Sequence, residues 1–424
     1  MSRSIYGIDF GSSKVCLAAI DRNGNPVVIR NVQDASDVLG SEVYFESEDN
    51  VIIGQYAKDM LEIEDDRVIR FVKGDLANQC VTTYECDGRF YTPVEICAMI
   101  LKQLQVMAGE QGEMVKDVVV AVPGYFGLQE KEALRNAVEL AGLNLRGMVA
   151  EQTATMLAYL HDRRVQNQNI LIYDLGGKTL DVSVVNVSAA AENAIPKIQI
   201  RSAVGSDELG GEIWENRLFD LILQACCDET GILPENMDAE TLQILRKKAD
   251  VVKEKLINSE RVQPRVDING IKARIAIQRE AFEDATRDLV GSTQCFVDQA
   301  IADAGNVPID LVLLTGGAAQ MPMISQQMEK RFPGKVELFK PECAVAMGAA
   351  IYGQTLVEPP LPPPPPPQKS SPYSSNLIAN MIRFAIDHSH DDIAQELIDE
   401  VDWKKLTPKD LFEFFNRIRN LFRE

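Results

Sequence analysis

Histidine is scarce in this chain: three in 424 residues, at 161, 388 and 390. Eight cysteines stand at 16, 80, 86, 97, 226, 227, 295 and 343, and no two are spaced as Cys-x-x-Cys. That combination argues against a structural zinc site, which needs clustered thiolate and imidazole ligands. It also argues against a disulfide framework, so a reducing cytosol is the expected compartment. Cys16, Cys97 and Cys295 lie in apolar stretches and are expected to be small core residues. No membrane-length apolar run and no secretory leader is visible, so a cytoplasmic protein is expected. Positive charge is in deficit: 43 Lys and Arg face 63 Asp and Glu, a formal charge of −20. Neither nucleic acid nor an anionic membrane is then expected as the main partner. A glycine loop running through Lys-Ser/Thr into a helix is missing too, which excludes a P-loop enzyme.

What the chain does have is one design used twice. Residues 169–187 read as an apolar run ending in Asp174, a tight turn Gly176-Gly177-Lys178-Thr179, and a second apolar run from Leu180 to Val187. Residues 4–20 repeat it: Asp9 ends a strand, Gly11 opens the turn, Ser12 and Ser13 supply hydroxyls, and a strand follows. Glycines bring the backbone close to a bound group. The N–H groups and hydroxyls of such a turn make a concavity for phosphate. A carboxylate at the strand end suits a hydrated magnesium ion. Either turn alone is an ordinary hairpin; the pair implies two similar halves facing one nucleotide.

The rest of the chain supports an α/β architecture. Asn23 to Pro26 reads as a hairpin tip. Ile96, Ile100, Leu104 and Met107 share a face of a helix over 93–110, with Pro93 at its start. Asp117 to Pro123 is a buried strand, and Leu128 to Leu140 a helix. A turn at 150–153 precedes a helix over 154–160. Further helices are expected over 214–227 and 240–256, after Pro322, and over the small-residue run 344–353. Gly210-Gly211 and Gly316-Gly317 are two more glycine junctions; the second would let a flat ring approach the backbone. Lys73 follows an apolar segment, where a lysine is ordinarily a surface charge. At 358 the composition breaks. Residues 358–375 form a proline-rich linker, expected as polyproline II, and 376–424 a helical tail with apolar stripes. The tail is expected to dock on a protein partner or on a second copy. A polyproline reader and a membrane-lying helix are the weaker alternatives for these two segments.

These residues resemble the ATPase domain of the seventy-kilodalton heat-shock chaperones (DnaK-like), within the actin, hexokinase and heat-shock superfamily. The resemblance spans about 4–355, within a first domain of 1–357. It is carried by Gly7-Ile-Asp-Phe-Gly-Ser-Ser13, Val122-Pro-Gly-Tyr-Phe126, Ala141-Gly-Leu143 and Glu151-Gln-Thr-Ala154. It continues in Asp174-Leu-Gly-Gly-Lys-Thr-Leu-Asp181, Leu209-Gly-Gly-Glu212, Thr315-Gly-Gly317 with Met321-Pro322, and Ala344-Val-Ala-Met-Gly-Ala-Ala350. It implies the actin-like ATPase fold: two duplicated lobes around a nucleotide cleft. It further implies ATP or ADP with magnesium, and potassium as a candidate second cation. Asp9 and Asp174 would hold the magnesium's waters, with Glu151 in that outer shell. Lys73 would reach the γ-phosphate, and Asp181 would help position the attacking water and potassium. Gly11, Gly176, Gly177 and Lys178 would form the phosphate turns, and Ser12, Ser13 and Thr179 would give hydroxyls. Gly210, Gly211, Gly316 and Gly317 would line the nucleoside, with Lys253 near its ribose. J-domain and nucleotide-exchange co-chaperones are the implied partners.

The departures are specific. Lys178 stands where the family has a third glycine, so its side chain either blocks phosphate or binds it. Gln152 replaces a proline that relays nucleotide state. Glu254 lies where some members place an arginine, and Ala318 and Gln320 replace a serine and an arginine. Too few residues follow 358 for the family's β-sandwich peptide-binding domain, which is expected to be missing. Three readings of function follow. The first is an ATP-hydrolysing, chaperone-like switch. The second is a nucleotide-binding scaffold or assembly factor with weak or no hydrolysis. The third is a polymerising actin-like ATPase, which the Pro123-Gly-Tyr-Phe126 motif disfavours.

Overall fold

The computed structural model describes residues 4–356, except 62–63, 79–81, 125, 164, 166 and 189–195. The linker and tail expected over 358–424 lie outside the described residues, as does Tyr125 of the Pro-Gly-Tyr-Phe motif. The described residues belong to one compact unit, Met1–Val357.

The first lobe is built on β1 (Ile5–Phe10), β2 (Lys14–Ile20), β3 (Pro26–Val28), β4 (Asp117–Val122) and β5 (Asn144–Ala150). Their spatial order is β5-β4-β1-β2-β3. β1 runs antiparallel to β2 and parallel to β4, which is parallel to β5. Every residue of β4 is buried, as its unbroken Val-Val-Val-Ala-Val run requires of a strand covered on both faces. Four helices belong to this half: α1 (Gln55–Met60), α2 (Pro93–Gly109), α3 (Leu128–Leu140) and α4 (Glu151–Asp162). α2 starts where expected. Thr92 caps it, accepting from the Glu95 N–H while the Glu95 carboxylate accepts from the Thr92 N–H, with Pro93 in the first turn.

The second lobe repeats the plan. β6 (Gln168–Leu175), β7 (Leu180–Ser188), β8 (Lys197–Ser206), β9 (Leu311–Thr315) and β10 (Val336–Leu338) lie in the order β8-β7-β6-β9-β10. The senses match strand for strand: β6 is antiparallel to β7 and parallel to β9, and β9 is parallel to β10. Helices α5 (Gly211–Thr230), α6 (Ala239–Asn258), α7 (Arg287–Asp303) and α8 (Pro322–Arg331) complete this half. Trp214 is fully buried in its core, beside Leu218, Ile222 and Leu245.

A last helix, α9 (Ala344–Thr355), packs against both β1 and α4. Its small residues allow backbone to approach backbone. A Cβ placed on Gly7 of β1 would stand 2.2 Å from the Ala346 carbonyl oxygen. One placed on Gly348 would stand 1.7 Å from that of Ala154. α9 is thus locked into the first half, against its sheet and against α4.

Two local expectations give way. The turn expected at 150–153 does not form: β5 ends at Ala150 and α4 begins at Glu151. Cys16 and Cys97 are buried, but Cys295 is exposed. The apolar neighbours of Cys295 turn inward on α7 at Leu289, Val290 and Val297, and position 295 falls on the outer face of that helical period.

Candidate functional site

The two glycine turns face each other at the base of a cavity of about 720 Å³ between the lobes. Each is held by backbone bonds from its own half. In the first, the Ser41 N–H donates to the Ser13 carbonyl (3.0 Å) and the Ser41 hydroxyl to the Ser12 carbonyl (2.7 Å). In the second, the Gly176 N–H donates to the Thr179 carbonyl (2.9 Å). The first turn of α5 then buttresses it: the Gly211 N–H donates to the Gly176 carbonyl (3.0 Å) and the Glu212 N–H to the Gly177 carbonyl (2.8 Å). The turns close on one another, because a Cβ on Gly177 would stand 1.9 Å from the Ser13 hydroxyl oxygen.

Strand register sets the carboxylates around this point. Asp9 pairs with Cys16 and Ala121; Asp174 pairs with Asp181 and with Thr315. Glu151 opens α4, where the helix dipole favours a negative charge. Its carboxylate accepts from the Lys73 ammonium at 2.9 Å. Lys73 is therefore no surface charge. It is buried, lies in a short helical turn (Val72–Asn78), and stands over the Phe126 ring.

Four carboxylates share this corner with Lys73, and the excess negative charge shows in their protonation. Burial, followed by the Glu151 charge, pushes the Asp9 carboxyl up to about 8. Burial, Glu151 and Asp181 push Asp174 up to about 7. Burial and Glu151 push Asp181 up to about 7. A group that binds protons more tightly folded than unfolded loses the folded state stability as it ionises. These three carboxyls ionise near 3.8 when unperturbed. Stability therefore falls as pH rises from about 4 towards 8. We expect the metal-free, nucleotide-free chain to melt several degrees lower at pH 8 than at pH 5.5, about 2 kcal/mol of lost stability. Magnesium with ADP should cancel much of that fall. A scanning-calorimetry series in chelated and magnesium buffers checks it, and a Tm that rises between those pH values contradicts it.

The cavity is also lined by Gly317, Gln320, Met321, Ile257, Glu254, Glu342 and Lys14 around Gly316, the glycine junction expected to meet a nucleoside. Gly316 cannot carry a side chain: its φ is +85°, and a Cβ would stand 2.3 Å from the Leu175 carbonyl and 2.4 Å from the Asp174 carboxylate. Above the cavity the lobes are joined by ion pairs between α1 and α6: Lys58 with Asp250, and Lys247 with Asp59 at 3.0 Å. Burial raises the Asp250 carboxyl, but Lys253 and Lys58 overcome it and hold it well below the ordinary range.

Of the residues singled out in the sequence, Asp9, Gly11, Ser12, Ser13, Lys73, Glu151, Asp174, Gly176, Gly177, Thr179, Asp181, Lys253, Gly316 and Gly317 all line this one cavity. Gly210, Gly211 and Lys178 are placed differently, and Lys253 is engaged differently. Gly210 packs under the second turn, where a Cβ would stand 2.1 Å from the Lys178 backbone, and Gly211 donates to that turn. Neither is among the cavity's lining residues. Lys178 directs its ammonium over the Phe71 ring of the opposite lobe, 5.3 Å from its centroid. Lys253, expected at a ribose, pairs with Glu215 and with Asp250 (3.3 Å). Sequence reading missed Lys14, Glu42, Lys58, Arg70, Phe71, Glu215, Asp250 and Glu342 as cavity residues. They belong to no glycine junction, and only the lobe geometry brings them together. Phe71 carries a signal visible only in the backbone, a φ of +57°, uncommon for a bulky residue.

The residues present fit a hydrated divalent cation: clustered carboxylates short of positive charge, beside bare turns that would hold phosphate. Among the described residues no group of three or more His, Cys, Asp or Glu is placed to hold a metal ion. The donors that complete its shell would then be phosphate oxygens and water.

Two sheets of identical order, closing on matched phosphate-type turns, define an actin-like ATPase fold. Residues 5–359 match the family model described as Hsp70 protein. That is most of the 424-residue chain, and the chain belongs to the Hsp70 family. Membership supports nucleotide binding and, broadly, a chaperone ATPase type of function.

Proposed function

We propose that this chain is an ATP-hydrolysing switch of the chaperone type, in which closure of the lobes on a nucleotide is read by a protein partner. One observation carries the reading: the matched turns face each other with Asp9, Asp174, Asp181 and Glu151 around them, and the charge of that group calls for a cation. A bound magnesium ion would supply charge neutralisation and phosphate orientation. The chain supplies the rest. Ser12, Ser13 and Thr179 offer hydroxyls at the turns. Glu151 holds the Lys73 ammonium at 2.9 Å, ordering a cation that would otherwise sample many rotamers. Asp181 faces Asp174 across the hairpin, and its proposed role is to orient a water molecule. Residues 358–424 are the proposed partner-contacting segment, the cytoplasm the proposed compartment, and co-chaperones of the family the proposed regulators.

The scaffold reading has one observation of its own. Lys178 bridges to Phe71 across the cleft, and Ser13 and Gly177 already touch. The lobes thus hold together through their own side chains. Single-turnover assays of the full-length chain with labelled ATP, magnesium and potassium separate the two. Near-stoichiometric conversion of bound ATP to ADP is the expected result. ATP that binds and persists gives the scaffold reading, and ATP that never binds removes the nucleotide assignments.

A further inference from the structure

We propose that the cleft selects its ligand by the polyphosphate end and discriminates little among bases, because Lys14 and Glu342 already bridge the glycine face at the nucleoside end. The inference rests on the nucleotide-site reading above and narrows it. Gly316-Gly317 is a bare stretch of backbone in this lining, the face a flat ring would use. The Glu342 carboxylate already lies there, with Oε1 3.5 Å from where a Cβ on Gly317 would stand. The Lys14 ammonium donates to that same oxygen at 2.6 Å and stands 3.9 Å from the Glu254 carboxylate. Lys14 comes from β2 of the first lobe; Glu342 precedes α9, and Glu254 lies on α6 of the second. The bridge therefore crosses the cleft over the glycine face. The remaining polar group is also engaged, since the Gln320 amide donates to the Gly317 carbonyl at 3.3 Å. The nearby Ile257 wall offers no hydrogen bond.

A base reaching Gly317 must first break this pair. It then gains only the groups it has just separated, so the exchange is nearly neutral in hydrogen bonds. The pair is half-exposed, and such pairs are worth little either way. The phosphate end differs: Ser12, Ser13 and Thr179 offer hydroxyls there to any polyphosphate, beside the Lys73 ammonium that Glu151 holds. Specificity is a difference of affinities, and contacts that do not favour one base leave none. The ligand class is a di- or triphosphate bearing any base, inorganic tripolyphosphate included.

Calorimetric titration of the full-length chain with ATP, GTP and tripolyphosphate, each with magnesium, tests this. The three dissociation constants should agree within about fivefold, the scale of one exposed ion pair. ATP tighter than the other two by more than that overturns the inference and leaves the nucleotide site standing. Failure of all three to bind a chain with native circular dichroism sinks the nucleotide reading and this inference with it. Glu342→Ala supplies the second arm. Clearing the glycine face should raise the ratio of ATP to tripolyphosphate affinity about fivefold or more, and an unchanged ratio overturns the inference. Tripolyphosphate binding reports in the same experiment that the phosphate end is folded.

Discussion

Gly348→Ala is expected to destabilise the ATPase unit by about 4 kcal/mol or more, or to abolish folding. On helix propensity alone the sign should be the reverse, since alanine in a helix interior is favoured over glycine by about 1 kcal/mol. Packing decides against propensity here. The added Cβ would stand 1.7 Å from the Ala154 carbonyl oxygen and 2.3 Å from the carbonyl carbon. Those are backbone atoms inside α4, so no side-chain rotation relieves the overlap. The helices must separate, and α9 also packs on β1 through Gly7, so the sheet of the first lobe feels the displacement as well. Dense interiors transmit such strain instead of absorbing it. A whole domain has only about 5–15 kcal/mol of stability to lose. Gly291→Ala is the matched control. Gly291 lies in α7 with nothing within 4 Å of an added Cβ, and that variant should gain a few tenths to 1 kcal/mol. Urea denaturation of the pair measures both. Equal effects in the two would mean that the α4–α9 contact is slack and that α9 is not locked into the first half.

The same contact shows what the sequence could reveal. Gly348 and its small neighbours read as a closely packing helix, but which helix they meet depends on two sheets folding into register. The paired hairpins were legible because one local pattern, acid–turn–strand, occurs twice with hydroxyls or glycines at the same offsets. Asp9, Asp174, Asp181, Glu151 and Lys73 duly converge on one cavity. Gly210 and Gly211 were misplaced for a local reason: a glycine pair before a helix suits a ligand or another turn equally well, and here it buttresses Lys178 and Gly176. Lys14, Lys58 and Asp250 look like solvated charges on strand or helix. Lys14 meets Glu342 and Lys58 meets Asp250, partners from opposite halves of the chain. Cys295 failed on helical phase, where one position separates inside from outside.

Asp174→Asn is expected to raise the melting temperature of the nucleotide-free chain while slowing single-turnover hydrolysis by about a hundredfold or more. Burial and the neighbouring Glu151 and Asp181 push the Asp174 carboxyl to about 7. At pH 8 it is ionised at a cost, and asparagine keeps its shape without the charge. Removing one uncompensated charge of this kind should stabilise by about 1–2 kcal/mol, a few degrees in a unit of this size. The side-chain oxygen can still face Thr315, its partner across β6 and β9, so the strand need not shift. What is lost is the charge that would hold a cation opposite Asp9. Calorimetry and single-turnover assays on one preparation at pH 8 read both effects. A lower melting temperature would mean the carboxylate is structural, held by contacts that asparagine cannot replace. Unchanged turnover would remove Asp174 from the chemistry. A gain in stability in a chain whose native form already fails to turn over fits the scaffold: a cleft that keeps the charges of an ATPase and pays for them without using them. A gain in stability coupled to lost turnover is the signature of a working site, where instability without ligand is the source of tight closure with it.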